Sequence, residues 1–482
     1  MSLSGALSNA MSGLTSNARG TTVVSANIAN ALNESYGRRE LQLTTDPNHS
    51  SGGVRVAQIS RYSDPVLAFQ KRMALADHSA SGAFAAFKAE LERIIGSADT
   101  LGSIADKLTR FETALLSAAS DPSSTTRLQN LSDAADGLAS ALRSASGGID
   151  QLRTRADQQI ASSVLEINSG LERLEKLNTQ IMTARHLGQD THSLMDNRDM
   201  ILDRLSEFVP LHVVERDSGT IAVFTAQGRT LLDENAVSLS FETPSTVLPH
   251  MTVGNGLLSR LQINGAGIDI PGSGMMNGGS LEAQFVLRDI TGSDAQAQLD
   301  AIARDVIERF GFGGPDSTLA PSDLGVFTDN GGVFTVANET GLSGRIELNV
   351  DLASESNDLW KWRDGLGATF EGDAGNSVLL LALHQQISAA IPPGSASLGT
   401  MARSLVAHVQ DLSAHQAAQR VQSQEAFSLS SDQLDALRES IASDGVNTDQ
   451  ELQKLIELEK AYAANARVVQ VVDDMLSELL RI

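Results

Sequence analysis

The stretch TDQELQKLIELEKAYAANARVVQVVDDMLSELLRI, Thr448 to Ile482, decides how the rest of the chain is read. Thr448 and Glu451 fit a capping box, in which a hydroxyl and a carboxylate satisfy the first free N–H groups of a helix. Neither Gly nor Pro follows, so a helix of roughly 50 Å is expected at 1.5 Å per residue. Leu452, Leu455, Glu459, Tyr462, Ala466, Val469, Asp473, Leu476 and Leu480 recur at alternating steps of three and four. That is a heptad seam with two polar interruptions. Glu459 and Asp473 either disfavour slipped registers or lie at the edge of the stripe in solvent. Such a helix needs a partner, elsewhere in the chain or in another subunit.

The opposite terminus offers one. Leu3, Leu7, Ala10, Leu14, Asn17, Thr21, Val24, Ile28 and Ala31 follow the same step. Gly5, Gly13 and Gly20 each cost this helix about 1 kcal/mol relative to Ala. It is therefore expected to form only against a partner.

Composition bounds the function. The chain has 482 residues, which suggests about two to four domains. A hydrophobic content of 41% is enough for buried cores, while aromatics at 4% suit long packed helices. The net charge of −23 repels nucleic acid and anionic membranes, and no Lys/Arg-rich run offers a local exception. Cysteine is absent, which excludes disulfides and thiolate metal sites. No apolar run reaches membrane-spanning length, and the first residues lack the pattern of a cleaved signal.

Between the termini, an irregular turn-rich piece from Asn33 to Gly53 precedes a short strand at Val54, Val56 and Ile59. Pro65 starts a helix that Gly96 closes. Further helices are expected from Ile104 to Ala119, from Leu128 to Leu142, after Gly147-Gly148 as far as Ile181, and from Leu194 to Phe208. At Pro210 the period changes to two, and short strands follow through Ile263. A helix returns over Asp294–Phe310. Asn330-Gly331 then marks a hairpin between Val326-Phe327 and Val333-Phe334, within a β region ending near Leu352. Helix resumes at about Asn376, and a long stretch from Leu398 to Ser440 leads to the terminal helix.

The expected fold is mainly α with inserted β. It comprises a terminal coiled-coil pair (1–60 and 441–482), a helical bundle (61–209, 281–312 and 374–440) and a β-rich outer module (210–280 and 313–373).

Asn27-Ile28-Ala29-Asn30 in a heptad helix resembles the terminal motif of bacterial flagellar axial proteins, the rod, hook and hook-associated family. Tyr36 and Arg38 fit the turn that follows, although Gly37 stands after the aromatic where family members place a Gly before it. Gly445-Val446-Asn447-Thr448 with Ala461-Tyr462-Ala463-Ala464-Asn465 resembles the C-terminal counterpart. Leu194-Met195-Asp196-Asn197-Arg198-Asp199, Phe111 to Leu116 with Ser120-Asp121-Pro122, and Asn277-Gly278-Gly279-Ser280-Leu281 with Leu287-Arg288-Asp289 are similar to the hook-associated branch.

The resemblance implies a structural subunit at the junction of hook and filament. It would be exported without a cleaved signal and be extracellular in the flagellum. Implied partners are copies of itself, the hook protein, the next hook-associated junction protein, and an export chaperone on the C-terminal helix. Subunit packing would use Leu3, Leu7, Leu14, Val24 and Ile28 with Leu452, Leu455, Tyr462, Val469, Leu476 and Leu480. The alternatives are another axial protein of hook or rod type, or a ligand-binding or enzymatic β module on a helical stalk.

No catalytic, cofactor or metal residue is assigned. His384, His408 and His415 lack a neighbouring carboxylate cluster in sequence. Asp196 and Asp199 flank Arg198, which reads better as a helix-surface or bundle-capping ion pair than as acid–base chemistry. Gly272-Ser273-Gly274 and Gly278-Gly279 lack the strand, helix and Lys of a phosphate loop. Asp316 and Asp323 lack calcium-loop spacing.

Overall fold

A computed structural model describes residues 3–45, 52–97, 99–271 and 274–480. Gly272 and Ser273, part of the turn-rich piece (46–51), and the last two residues of the terminal stretch lie outside the described residues. The 3.6-residue period builds helices α1 (Leu3–Ala29), α2 (Pro65–Ile95), α3 (Ile104–Ser120), α4 (Thr125–His186), α5 (His192–Ser206), α6 (Gly279–Val286), α7 (Gly292–Arg309), α8 (Lys361–Asp364), α9 (Val378–Ser388), α10 (Leu405–Asp444) and α11 (Thr448–Leu479). The strands are short and pair antiparallel. β1 (Arg39–Thr45) pairs with β2 (Val54–Arg61), and β3 (Leu211–Glu215), β4 (Ile221–Thr225) and β5 (Thr230–Leu232) form a meander. A second meander contains β6 (Leu239–Ser240), β7 (Leu261–Ile263) and β8 (Ala266–Ile268), and β9 (Phe327–Asp329) pairs with β10 (Ile346–Leu348). The protein is mainly α with inserted β, as the periodicity implied.

The chain forms two compact units. The first comprises Met1–Ala76, Ser169–Val237 and Ser430–Ile482, the second Asp77–Asn168 and Ser238–Leu429. The β segments expected in one outer module thus divide: β3–β5 belong to the first unit, β6–β10 to the second.

In the first unit α1 packs along α11, with the β1–β2 hairpin beside α1. Ala74 and Leu75 of α2 bury against Leu434 of α10. Asn178 of α4 holds β4 by a reciprocal pair of bonds. Its Nδ2 donates to the Ile221 carbonyl at 2.8 Å, and its Oδ1 accepts from the Ile221 N–H at 3.0 Å. An amide side chain thereby satisfies backbone groups that a strand would otherwise pair.

The second unit is built on an aromatic cluster. Phe111 lies 5.5 Å from Phe310 and 5.8 Å from Phe327, both edge-on, and Trp362 donates its Nε1–H to Ser132 at 2.9 Å. Val326, Phe327, Leu342, Ile346 and Leu352 are part of the same buried core. The 326–352 segment is therefore integral to this unit, and excising it would open the core.

Five local expectations need correction, the first being that Arg39–Thr45, within the piece read as irregular, forms β1 paired with β2. The helices expected on either side of Gly147-Gly148 are one 62-residue helix, α4. Gly148 continues it because a Cβ there would lie 2.8 Å from the Ile94 side chain, so the missing side chain makes room for a neighbour rather than a break. The helix expected from Asp294 already begins at Gly279 and passes through a π-turn at Leu287–Thr291. There the fully buried Arg288 pairs with Asp157 at 2.6 Å and Asp289 at 2.7 Å. Asn330 and Gly331 do form a two-residue turn with φ of 52° and 75°, closed by hydrogen bonds between Asp329 and Gly332. The strand that pairs with β9, however, is β10 and not Val333-Phe334. Finally, Asn447 rather than Thr448 caps α11, its side chain accepting from the Asp449 and Gln450 N–H groups.

Candidate subunit-packing site

Glu451 is released from capping because it serves another purpose. It is 2% exposed, and its Oε2 accepts from Asn27 Nδ2 at 3.1 Å. Asn27, 1% exposed, uses every hydrogen-bonding position of its amide. Nδ2 also donates to the Arg39 carbonyl at 2.9 Å, while Oδ1 accepts from the Arg39 N–H at 3.0 Å and from the Tyr36 hydroxyl at 2.8 Å. One side chain thus ties α1 to the following turn, to the start of β1 and to α11. Burial pushes the Tyr36 phenol up from its usual range, opposed by Arg39 and reinforced by Asp196 and Glu451. Asn30 donates back to the Ala26 carbonyl at 2.9 Å and closes the helix end.

The glycines that weaken α1 are where α11 approaches it. A Cβ on Gly13 would lie 2.6 Å from Asn465, and one on Gly20 would lie 3.0 Å from Leu458. With Asn27 against Glu451, contacts step by seven residues up α1 and down α11, so the helices are antiparallel.

This inner face divides the residues expected to pack. Val24 is buried, and Leu3, Leu7, Leu14, Ile28, Leu455 and Val469 are half-buried. Leu452 (47% exposed), Tyr462, Leu476 and Leu480 (88%) stand in solvent, as do Ile456, Val471, Met475 and Leu479. Glu459 and Asp473 are exposed too, at the edge of the stripe. Spacing alone missed Gly13, Gly20, Glu451, Leu458 and Asn465 because none but Leu458 is a seam residue by type.

A second cluster joins α5 to the hairpin and to α2. Asp196, Asp199 and Asp203, three and four residues apart, share one face of α5. Asp196 accepts from the Gly37 N–H at 3.1 Å, Arg61 Nε at 2.8 Å and Arg39 Nη2 at 3.1 Å. Asp199 accepts from Arg61 at 2.7 Å and Arg72 at 3.0 Å, and Asp203 from Arg72 and Lys71, both at 3.0 Å. Burial opposes the charge on Arg61, but Asp199 and Asp196 outweigh it and raise its pKa. Gly37 is required here, since a Cβ would lie 2.5 Å from Arg61 Nε. That accounts for a glycine after Tyr36.

Arg198 does not pair with its flanking aspartates. It is buried on another side of α5, donates to the Gly219 carbonyl at 2.8 Å, and has its pKa pushed down by burial. Arg38 lies over the Tyr62 ring at 5.7 Å.

In the second unit His408 is buried with Nδ1 2.9 Å from Asp305, and His384 lies 3.4 Å from Glu112. Among the described residues no group of three or more His, Asp or Glu is placed to hold a metal ion, and no helix is long and apolar enough to cross a membrane.

Residues 89–311 match the family model described as the flagellar hook-associated protein FlgK helical domain, and residues 439–482 match the flagellar basal body rod FlgEFG protein C-terminal model. The chain is similar to flagellar hook-associated protein 1. It is 26% identical over 297 residues to that protein of Salmonella typhimurium, covering 59% of this chain and 52% of the relative. To the Escherichia coli protein it is 23% identical over 317 residues, covering 64% and 56%. The Bacillus subtilis protein is 24% identical over 232 residues, covering 44% and 45%. The chain thus spans about half the length of the curated relatives it matches. The solved flagellar hook junction protein FlgK from Burkholderia pseudomallei aligns over 54% of this chain and 46% of its own, at 25% identity and a TM-score of 0.44.

Proposed function

We propose that this chain is a structural subunit of the bacterial flagellum that joins hook to filament and assembles through its paired terminal helices. The observation that carries the reading is the number of large apolar side chains along α11 that stay exposed although the helix is paired with α1: Leu452, Ile456, Tyr462, Val471, Met475 and Leu479. Large apolar side chains left in solvent in such number mark interaction sites, and copies of the same chain are the occupant that the matched family supports. Leu3, Leu7, Leu14, Val24, Ile28, Leu455 and Val469 then hold the pair together. Leu452, Tyr462, Leu476 and Leu480 meet the neighbouring subunit. The hook protein and the next junction protein are the other structural partners. Before export through the flagellar secretion apparatus, a cytoplasmic chaperone covers the same face.

Deleting the gene tests the reading. The expected result is cells with hooks but no filaments and unpolymerised flagellin in the medium. Normal filaments overturn it. Loss of the hook itself would favour a rod or hook subunit, which the match of residues 439–482 to a rod-protein model makes the second reading. Chaperone binding that survives removal of residues 449–482 would refute the assignment of that site.

A further inference from the structure

We propose that the buried Asn27–Glu451 pair sets the register of the terminal helices, so that α1 and α11 mate in one heptad frame only. This rests on the pairing of the two helices and not on the junction reading, so either can fail without the other.

The contacts 13 with 465, 20 with 458 and 27 with 451 advance by seven residues on each helix in opposite directions. A slide of one heptad restores the same geometry with different partners. In one direction Gly13 meets Val472, Gly20 meets Asn465 and Asn27 meets Leu458. In the other, Gly13 meets Leu458, Gly20 meets Glu451 and Asn27 faces chain before α11. The two glycine positions accept Leu458 or Asn465 in the native frame, so they discriminate poorly between frames.

Asn27 discriminates sharply. Its Oδ1 takes the Arg39 N–H and the Tyr36 hydroxyl, and since a backbone N–H can only donate, the orientation of the amide is fixed. Nδ2 therefore points at α11 and requires an acceptor there, which Glu451 supplies. Either slide removes that acceptor and leaves a buried donor unpaired, or sets a buried carboxylate against glycine. A single polar contact in an apolar seam selects register at some cost in stability.

The chain contains no cysteine, which makes the test direct. Three double variants of the full chain are oxidised in dilute solution and their intramolecular cross-links measured. They are Gly13→Cys with Asn465→Cys for the native frame, Gly13→Cys with Val472→Cys, and Gly13→Cys with Leu458→Cys for the two slides. Each is made with Glu451 kept, with Glu451→Leu and with Glu451→Gln. With Glu451 the native pair should outrun both slides at least about tenfold, as the loss of a charged hydrogen bond implies. Glu451→Leu should bring a slid pair to a comparable yield, whereas Glu451→Gln, which keeps an acceptor oxygen, should retain the native preference. An unchanged native preference in Glu451→Leu overturns the proposal, and so does its loss in Glu451→Gln. Should Glu451→Leu fail to fold, Asn27→Leu removes the same demand from the other helix and is read in the same way.

Discussion

At the residue scale the decisive side chain is Asn27. Its amide satisfies two backbone groups, a phenol and a carboxylate, all in a buried setting. Asn27→Ala leaves those partners unpaired and should lower the unfolding free energy by about 1–3 kcal/mol, read as a shift of the urea midpoint with unchanged slope. Arg61 is the equivalent hub of the acidic face of α5. Arg61→Gln breaks charge-assisted bonds to Asp196 and Asp199 and should cost about 2 kcal/mol. A loss below a few tenths in either would mean that the contacts are redundant. The Asn27 motif and the Asp196–Asp199 stretch were both legible in the sequence as patterns. Their partners were not. Arg61 precedes Asp196 by 135 residues and Glu451 follows Asn27 by 424, and no local spacing encodes such separations.

At the scale of elements, periodicity located helix bounds well wherever an apolar stripe met a plain stop, as at Pro65–Ile95 and Ile104–Ser120. It failed where glycine had two meanings. At 147–148 a glycine pair reads as a break but lies inside α4, and at 13 and 20 glycine reads as weakness but marks the contact line. The seam on α11 was displaced because the contact line is carried by polar residues, Glu451 opposite Asn27 and Asn465 opposite Gly13. Gly20→Leu fills the space held by Leu458 and should destabilise the pair by about 1–3 kcal/mol, the usual cost of overpacking. Faster amide exchange confined to α1 and α11 would show it, and unchanged exchange there would contradict the close approach. The β9 partner was illegible because β10 lies beyond two 3-10 turns, whereas the Asn330-Gly331 turn was local and was read correctly.

Across the whole molecule, one partly buried acid gives an unusual pH dependence. Burial, helped by Asp300 and opposed by Arg153, pushes Asp150 in the second unit up to about 6. A carboxyl that holds its proton more tightly folded than unfolded favours folding at low pH. Its contribution therefore declines as pH rises from the ordinary carboxylate range through about 6 and stays low above that. Asp150→Asn should raise the melting temperature at pH 7 and leave it nearly unchanged at pH 4, as followed by calorimetry at the two values. An equal shift at both would rule out the titration. Spacing around Asp150 shows Arg153 three residues on, but not Asp300 of α7, 150 residues away in sequence.

The three aspartates of α5 and the cations that meet them largely neutralise one another in a mostly shielded cluster. The acidic excess of the chain, −23 in all, therefore lies outside this cluster. Two copies approaching each other feel mutual repulsion over about 30 Å in 0.01 M salt but only about 8 Å at physiological ionic strength. Added electrolyte should hasten their union while leaving the internal ion pairs largely untouched, the reverse of a protein drawn to an oppositely charged surface.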